Sequence, residues 1–263
     1  MSTKALLVGI NAYDGAPLSG CVNDVMDMAH FIVDHCGFAP ETVRLLTDGR
    51  ATTKAILDRL AWLVTDLEAG DRILFHFSGH GAQVSARNDA GESDGLDEIL
   101  VPVDLDWSDE RMIRDDDLNR IFSRIPEGVS AVFVADCCHS GDVTRDLIPP
   151  HPLDPKVKRL PPPPDIAWRN RTAKVQVKPK PATLPNIALV SGCRSDQTSA
   201  DAHFEGRANG ALTYFLLQAL RVGPTIPLSA IVPGVRDSLA TAGFAQQPQI
   251  EGPEALIARA FLR

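Results

Sequence analysis

Two apolar runs of strand length, each stopping on reactive side chains and small residues, constrain this chain more than any other feature. Val132-Phe133-Val134-Ala135 runs into Asp136-Cys137-Cys138-His139-Ser140-Gly141, and Arg72-Ile73-Leu74-Phe75-His76-Phe77-Ser78 runs into Gly79-His80-Gly81-Ala82. Runs this apolar fit strands covered on both faces of a parallel sheet. Ligands of such sheets bind outside the carboxyl ends of the strands, so a thiol and an imidazole there sit on rigid elements yet can meet a bound molecule. If the two strands are neighbours, a Cys and a His from distant parts of the chain converge, as a cysteine nucleophile and its acid/base partner require.

The pattern around these runs supports such a sheet. Lys4 to Ile10 is another nearly continuous apolar strand, and Val25, Met28, Ala29, Ile32 and Val33 follow at helical spacing after a start at Asn23-Asp24. Gly37-Phe38-Ala39-Pro40 ends that helix, Val43 to Thr47 is a short strand, and Thr52-Thr53 opens a helix with Ile56, Leu60, Leu63 and Leu67 on one face. Strands alternating with amphipathic helices predict βαβ units, hence an α/β fold with a mostly parallel central sheet flanked by helices on both faces. Ile187 to Val190 adds a strand, Gly210 to Leu220 a helix, and Leu228 to Leu239 a helix interrupted at Pro233-Gly234. His76, inside its strand, reads as a packed core histidine, and Cys193 as a small packed hydrophobe.

Composition excludes some functions. At 263 residues and 44% hydrophobic content the chain has room for a sizeable core, and a net charge of -8 disfavours nucleic acid as a partner. No apolar run approaches the roughly 20 residues of a membrane span, and the amino terminus enters a strand without room for a signal peptide. The five cysteines, odd in number and without small-scaffold spacing, fit reduced thiols. The expectation is a cytoplasmic protein, monomeric and away from membranes.

Two stretches depart from the average. Asp89 to Asp117 holds twelve acids, among them Asp94, Asp97, Glu98, Asp104 and Asp115-Asp116-Asp117. Acids near a helix start explain part of this, but carboxylates packed together repel unless protons or a hard cation neutralise them, and six to eight oxygens are what calcium takes. The spacing is not that of an EF-hand. Pro149 to Pro185 holds eleven prolines and eight Lys or Arg with only Asp154 and Asp165 as acids, which predicts an exposed linker with little regular structure. The expected organisation is therefore 1–148 carrying His80 and Cys138, a linker over 149–185, and 186–263 completing the same domain.

Ser78-Gly79-His80-Gly81 followed by Asp136-Cys137-Cys138-His139-Ser140-Gly141 resembles the catalytic pair of metacaspases, cysteine peptidases of caspase-like fold. Further matching blocks come in the family's order: Gly20-Cys21-Val22-Asn23-Asp24, Ser191-Gly192-Cys193 through Gln197-Thr198-Ser199-Ala200-Asp201, Gly210-Ala211-Leu212-Thr213-Tyr214 and Gln247-Pro248-Gln249. The likeness is to the prodomain-less, bacterial-type members. It implies peptide-bond hydrolysis with Cys138, the residue directly before His139-Ser140-Gly141, as nucleophile and His80 as general acid/base. It also implies oxyanion donors at the nitrogens of Gly81 and Cys138, and an S1 pocket of Asp24, Asp136 and Ser78 taking a basic side chain. Period-two alternation agrees that Cys137 and Cys138 face opposite ways while Asp136 and Cys138 share a side. No third triad carboxylate stands out.

The resemblance further implies an activating calcium ion held by Asp97, Asp115 and Asp116. A further ligand position of the family falls on Arg145 here, with Asp142 and Asp146 nearby. The joint between large and small subunit regions falls in the linker, whose Lys156, Lys158, Arg159, Arg169, Arg171 and Lys174 become candidate self-cleavage points. Partners are then protein or peptide substrates with a basic P1 residue. Two other readings stay open: a caspase-fold peptidase with another P1 preference, separable by a P1-scanned peptide library, and a non-catalytic caspase-like interaction module, which labelling of Cys138 by a peptidyl electrophile would exclude.

Overall fold

The structure, a computed structural model, describes residues 1–85, 96–138, 155–172, 184, 186–194 and 197–263. The chain forms β1 (Thr3–Gly9), α1 (Cys21–Cys36), β2 (Val43–Thr47), α2 (Thr53–Leu63), β3 (Arg72–Ser78), β4 (Gly81–Ser85), β5 (Leu96–Leu100), β6 (Ile113–Arg114), α3 (Asp115–Phe122) and β7 (Ser130–Asp136). It continues through β8 (Lys156–Val157), α4 (Pro164–Thr172), β9 (Ala188–Ser191), β10 (Ala200–Phe204), β11 (Arg207–Gly210), α5 (Ala211–Val222), α6 (Leu228–Thr241), β12 (Gln249–Glu251) and α7 (Glu254–Ile257). Among the described residues the main sheet has the order β12-β9-β7-β3-β1-β2, parallel except for β12, which runs antiparallel to β9. The fold is thus the expected caspase-like α/β arrangement.

Side-chain alternation builds two cores from the same strands. Leu6, Val8, Phe75, Phe77, Phe133 and Ala135 face α2 and α3 and pack with Ile56, Leu60, Leu63 and Phe122. Ala5, Leu7, Leu74, Val132 and Val134 face the other way, onto Val25, Met28 and Ile32 of α1, Leu212 and Leu216 of α5, and Val232 and Val235 of α6. The Phe75 and Phe133 rings stack at 4.6 Å across β3 and β7, helping to fix the register in which Ser78 lies opposite Asp136. Gly9 lets α1 begin directly over β1, since a Cβ there would lie 2.5 Å from the Cys21 carbonyl oxygen. As a result Asp24, in the first turn of α1, comes to the carboxyl end of the sheet.

Two expectations are corrected. α6 runs without interruption through Pro233. Pro233 and Gly234 are exposed, so the carbonyl that loses its helical partner can bind water, while Leu228, Ile231, Val232, Val235 and Leu239 keep one apolar face buried. The second correction concerns the Pro-rich stretch. Its described part is not uniformly exposed linker: β8 pairs antiparallel with β10, Pro164 to Thr172 is helical, and Lys158 is fully buried. Backbone pairing and a buried ion cluster hold this part in place despite its composition. Residues 139–154 and 173–183 lie outside the described residues.

Candidate active site

His80 and Cys138 each stand two residues beyond the opposed pair Ser78 and Asp136, at the carboxyl ends of adjacent parallel strands. Cys137 continues the parity of Phe133 and Ala135 and packs into their core, whereas Cys138 follows Val134 and Asp136. Burial pushes the Cys137 thiol well above its ordinary value, which leaves it protonated and unreactive.

His80 is nearly buried, and its Nε2 lies 2.8 Å from the carbonyl oxygen of Ala16. A carbonyl can only accept, so Nε2 carries the proton and Nδ1 presents its lone pair; among the described residues Nδ1 has no hydrogen-bond partner. Tyr13 fixes the turn around this ring: its hydroxyl accepts the His80 N–H at 3.1 Å and donates to the Val101 carbonyl at 2.9 Å, and its ring packs 4.6 Å from the imidazole. Burial lowers the His80 pKa to about 4, against the opposing pull of the Ala16 carbonyl. The orienting group that motif reading did not find is therefore a main-chain carbonyl.

Asp24, Asp136 and Ser78 meet around a cation, the ammonium of Lys158. Lys158 Nζ lies 3.2 Å from Asp24 Oδ2 and 3.1 Å from Asp136 Oδ1 and donates to Ser78 Oγ at 2.8 Å, all four side chains being fully buried. Asp24 also accepts from Ser78 Oγ at 2.7 Å, Asn209 Nδ2 at 3.0 Å and the Gly210 N–H at 2.8 Å. Asp136 accepts from Ser199 Oγ at 2.9 Å, and from the N–H and hydroxyl of Thr213 at 3.0 and 2.8 Å. With its proton on Asp136, the Thr213 hydroxyl accepts from His76 Nε2 at 3.2 Å, so His76 is a packed histidine with a place behind this pocket. Gly210 forms the floor, where a Cβ would lie 2.1 Å from Lys158 Nζ and 2.2 Å from Asp136 Oδ2. Asn209, Ser199, Gly210 and Thr213 had no assigned role from sequence; three of them lie inside matched blocks, which was the available signal.

The charges of this cluster depend on one another. Burial pushes the Asp24 carboxyl up to about 6, even with Lys158 beside it. Burial also opposes ionisation of Asp136, but the Lys158 ammonium and the Thr213 and Ser199 hydrogen bonds outweigh it and hold Asp136 below the usual carboxylate range. For Lys158 desolvation is likewise outweighed, chiefly by Asp136, so the ammonium is held more firmly than in water. The main chain of the same lysine is bound too: the Gly81 and Cys138 N–H groups both donate to its carbonyl oxygen, at 3.1 Å each.

The acidic stretch is organised differently. Asp97 on β5 is fully buried and ion-paired with Arg114, whose other terminal nitrogen contacts Asp109. Asp115 Oδ1 accepts the Asp116 N–H at 2.8 Å, and Asp104 accepts the N–H and hydroxyl of Thr53 at the start of α2. Among the described residues no three His, Cys, Asp or Glu side chains are gathered as for a metal ion. Asp94, Asp142, Arg145 and Asp146 lie outside the described residues.

A caspase-like sheet with a cysteine and a histidine on adjoining strand ends defines a class, the caspase-fold cysteine peptidases, and similarity to known proteins narrows it. A family model described as the metacaspase, peptidase C14 domain matches residues 3–147. Metacaspase-1 of Scheffersomyces stipitis is 33% identical across 94% of this chain and 70% of its own length, and Metacaspase-1A of Aspergillus niger 32% identical across 97% and 71%. A crystal structure of a Geobacter sulfurreducens protein superposes with TM-score 0.73 at 25% identity, covering 100% of this chain and 98% of that one. Caspase-1 of Spodoptera frugiperda superposes with TM-score 0.59 at 13% identity over 95% and 86% of the two chains, a likeness of fold. The chain belongs to the metacaspase family of cysteine-type peptidases, whose substrates are proteins. No helix among the described residues is long and apolar enough to cross a membrane.

The buried ionisable groups fix a pH dependence of stability. His76 and His80, with folded values of about 3 and about 4 against roughly 6.5 unfolded, refuse protons that the unfolded chain binds, so they favour unfolding as pH falls below about 6.5. Asp24, raised to about 6, has the opposite sign: between about pH 6 and 4 the folded state holds a proton that the unfolded state has lost. Asp136, depressed, enters only below about pH 4. Two histidines against one carboxylate leave about one net proton, a loss of roughly 1 kcal/mol per pH unit between pH 6 and 4.5. Urea unfolding of the Cys138→Ala protein across that range should give this slope, and His76→Gln should bring it close to zero.

Proposed function

We propose that this enzyme hydrolyses peptide bonds on the carboxyl side of Arg or Lys, with Cys138 as nucleophile, His80 as general acid/base and Asp24, Asp136 and Ser78 reading the P1 side chain. The single observation that carries the reading is that two buried carboxylates beside the Cys138 and His80 strand ends already surround a lysine ammonium. A guanidinium suits the same pair, whereas a neutral or acidic P1 group would leave desolvated carboxylates without a counter-charge. Nδ1 of His80 takes the Cys138 proton, and the thiolate adds to the scissile carbonyl, whose developing negative charge is met by the Gly81 and Cys138 N–H groups. Collapse to the thioester returns the proton from Nδ1 to the leaving amine. A water then enters, His80 takes its proton as the oxygen adds to the thioester carbonyl, the carbon–sulfur bond breaks, and the proton returns from His80 to Cys138 Sγ as the acid product leaves.

The reading extends to regulation and setting. Calcium acts as an activator through Asp97, Asp115 and Asp116, which sit on β5 and the adjoining start of α3 within an acid-rich stretch. In the described arrangement Arg114 supplies the positive charge at Asp97, so a cation there would compete with that guanidinium. Self-processing within 149–185 belongs to the same reading, as does a cytoplasmic monomer, whose cysteines form no disulfide.

Three outcomes test it. Cys138→Ala should abolish turnover of an Arg- or Lys-terminated fluorogenic peptide, whereas Cys137→Ala should keep most of it and lose about 1 kcal/mol of stability from the packed thiol; equal inactivation of two folded variants would reverse the assignment. Asp24→Ala and Asp136→Ala should each lower kcat/KM after Arg and Lys by about two orders of magnitude, roughly 3 kcal/mol for one charge-assisted contact, and unchanged P1 selectivity would remove both from the pocket. Millimolar calcium should raise turnover and self-cleavage several-fold over chelator, and Asp97→Asn with Asp115→Asn should lose the response. Identical rates in calcium and chelator would leave the acids as a structural cluster around Arg114.

A further inference from the structure

The loop that orients His80 is held down by a side chain far from it in sequence. Between β1 and α1 the residues Asn11 to Gly20 carry both groups that fix the imidazole, the Tyr13 hydroxyl on the His80 N–H and the Ala16 carbonyl on Nε2. The base of this loop closes on Asn11. Its carbonyl accepts the Leu18 N–H at 2.9 Å, its Nδ2 donates to the Ser19 carbonyl at 3.2 Å, and its Oδ1 accepts the Cys21 N–H at 2.8 Å. Asp14, Gly15 and Pro17 are exposed, so the height of Ala16 over the sheet is set from the two ends of the loop. On the β1 side Asp48 Oδ1 accepts the Asn11 and Ala12 N–H groups at 2.7 and 2.9 Å. On the α1 side Asp201 accepts the Ser19 N–H on Oδ2 at 2.6 Å and the Gly20 N–H on Oδ1 at 2.8 Å, one loop amide to each oxygen. Lys156 touches this side too, through the Pro17 carbonyl and Ser19 Oγ, at the loop's outer rim.

Asp201 is buried and sits on β10, outside the main sheet. Gly20 lets the loop descend onto it, since a Cβ there would lie 2.4 Å from Asp201 Oδ1. Two residues earlier Ser199 donates to Asp136 Oδ1, so one short stretch is bonded both to the acid pocket and to the loop that aims His80. The neighbouring charges that act on His80 include the Lys158 and Lys156 ammonium groups, whereas the tie from Asp201 runs through main-chain amides. Resting on the function proposed above, we propose that Asp201 is the positioning residue of the general acid/base: by gripping Ser19 and Gly20 it places the Ala16 carbonyl, and through that carbonyl the tautomer and tilt of the His80 ring. Without the grip the loop rises, Nε2 loses its acceptor, and the proton is shared between the two ring nitrogens. Only part of the population then presents the Nδ1 lone pair to the thiol. A misplacement of about 1 Å can cost about a hundredfold in rate, while Asp24, Asp136 and Ser78 keep their places around the P1 side chain. The loss therefore belongs in kcat rather than in KM.

The test has two readouts on the full chain. In the first, Asp201→Ala, Asp201→Asn and wild type hydrolyse an Arg-terminated fluorogenic peptide in calcium. Asp201→Ala should lower kcat about tenfold to a hundredfold with KM within about twofold, and Asp201→Asn, whose one side-chain oxygen replaces two acceptors, should fall between it and wild type. In the second, nitrogen NMR of histidine-labelled Cys138→Ala protein reads the ring, with His80→Gln assigning the signal. The single Nε2-protonated tautomer should give way to a mixture when Asp201→Ala is added. Ile56→Val, in the core under α2, controls for stability: it should lower the unfolding temperature and leave both kcat and the tautomer unchanged. If Asp201→Ala does not fold, Asp201→Asn decides by the same readouts. A wild-type kcat with an unaltered tautomer in the folded variants would overturn the proposal. So would a loss carried by KM and by Arg-over-neutral selectivity, because the Asp201 charge also acts on Lys158 and the residue would then belong to the P1 pocket. If wild type hydrolyses no basic peptide, the function proposed above falls, and the tautomer comparison still decides whether Asp201 sets the ring.

Discussion

Asp24 and Asp136 are buried at the ends of different elements, and neither carries its charge cheaply without Lys158 between them. Removing water from three ions costs more than their bare attraction returns unless every remaining lone pair is satisfied, and here each carboxylate accepts several hydrogen bonds besides the ammonium. Those bonds come from β3, from Ser199 just before β10, from β11 and from the start of α5. The cluster is therefore where the register of the sheet, the entry of α1 and the entry of α5 must agree. Thr213 N–H at the first turn of α5 faces Asp136, so the positive end of that helix favours the charged form as well.

Surroundings this dry set the protonation state of His80. A carboxylate facing Nε2 of His80 would hold the ring protonated, whereas the Ala16 carbonyl orients it with a weaker pull, and burial then keeps it neutral well below its ordinary range. A neutral ring with an open Nδ1 is suited to take a proton from a thiol and quickly give it away again. Tyr13 completes the arrangement by tying the His80 backbone to the Val101 carbonyl, so the turn after β3 is braced by the strand extension that follows β5.

Much of this was legible because it follows from side-chain periods and strand ends. Val132 to Asp136 and Arg72 to Ser78 read as buried parallel strands, and once paired their termini carry His80, Cys138 and Asp136 to one edge. The opposite facing of Cys137 and Cys138 followed from alternation alone. What remained hidden has no side-chain signature: the Ala16 carbonyl is a backbone atom, and the Gly210 floor is the absence of a side chain. Lys158 was hidden for another reason. Prolines around it spoke for an exposed linker, but a composition argument prices the average residue of a stretch, and one lysine that finds two buried carboxylates outweighs its neighbours. Pro233 misled in the same direction, since the exposed face of α6 tolerates a lost backbone bond that a buried face would not.

The balance between holding and releasing that lysine follows from the same charges. An ammonium that withdraws leaves two desolvated carboxylates facing Ser78, and Asp24, already raised to about 6 with the cation present, is the one to take up a proton in its place. The emptied pocket is then singly charged, and a returning basic side chain must expel that proton to bind at full strength. A neutral side chain could not expel it and would gain nothing from Asp136, so under the proposed reading discrimination would come from the cost of the unpaired state as much as from the contact itself. A pocket of this kind is defined by what it cannot tolerate when empty, and among the described residues the cation that fills it, directly after a strand that pairs with β10, is Lys158.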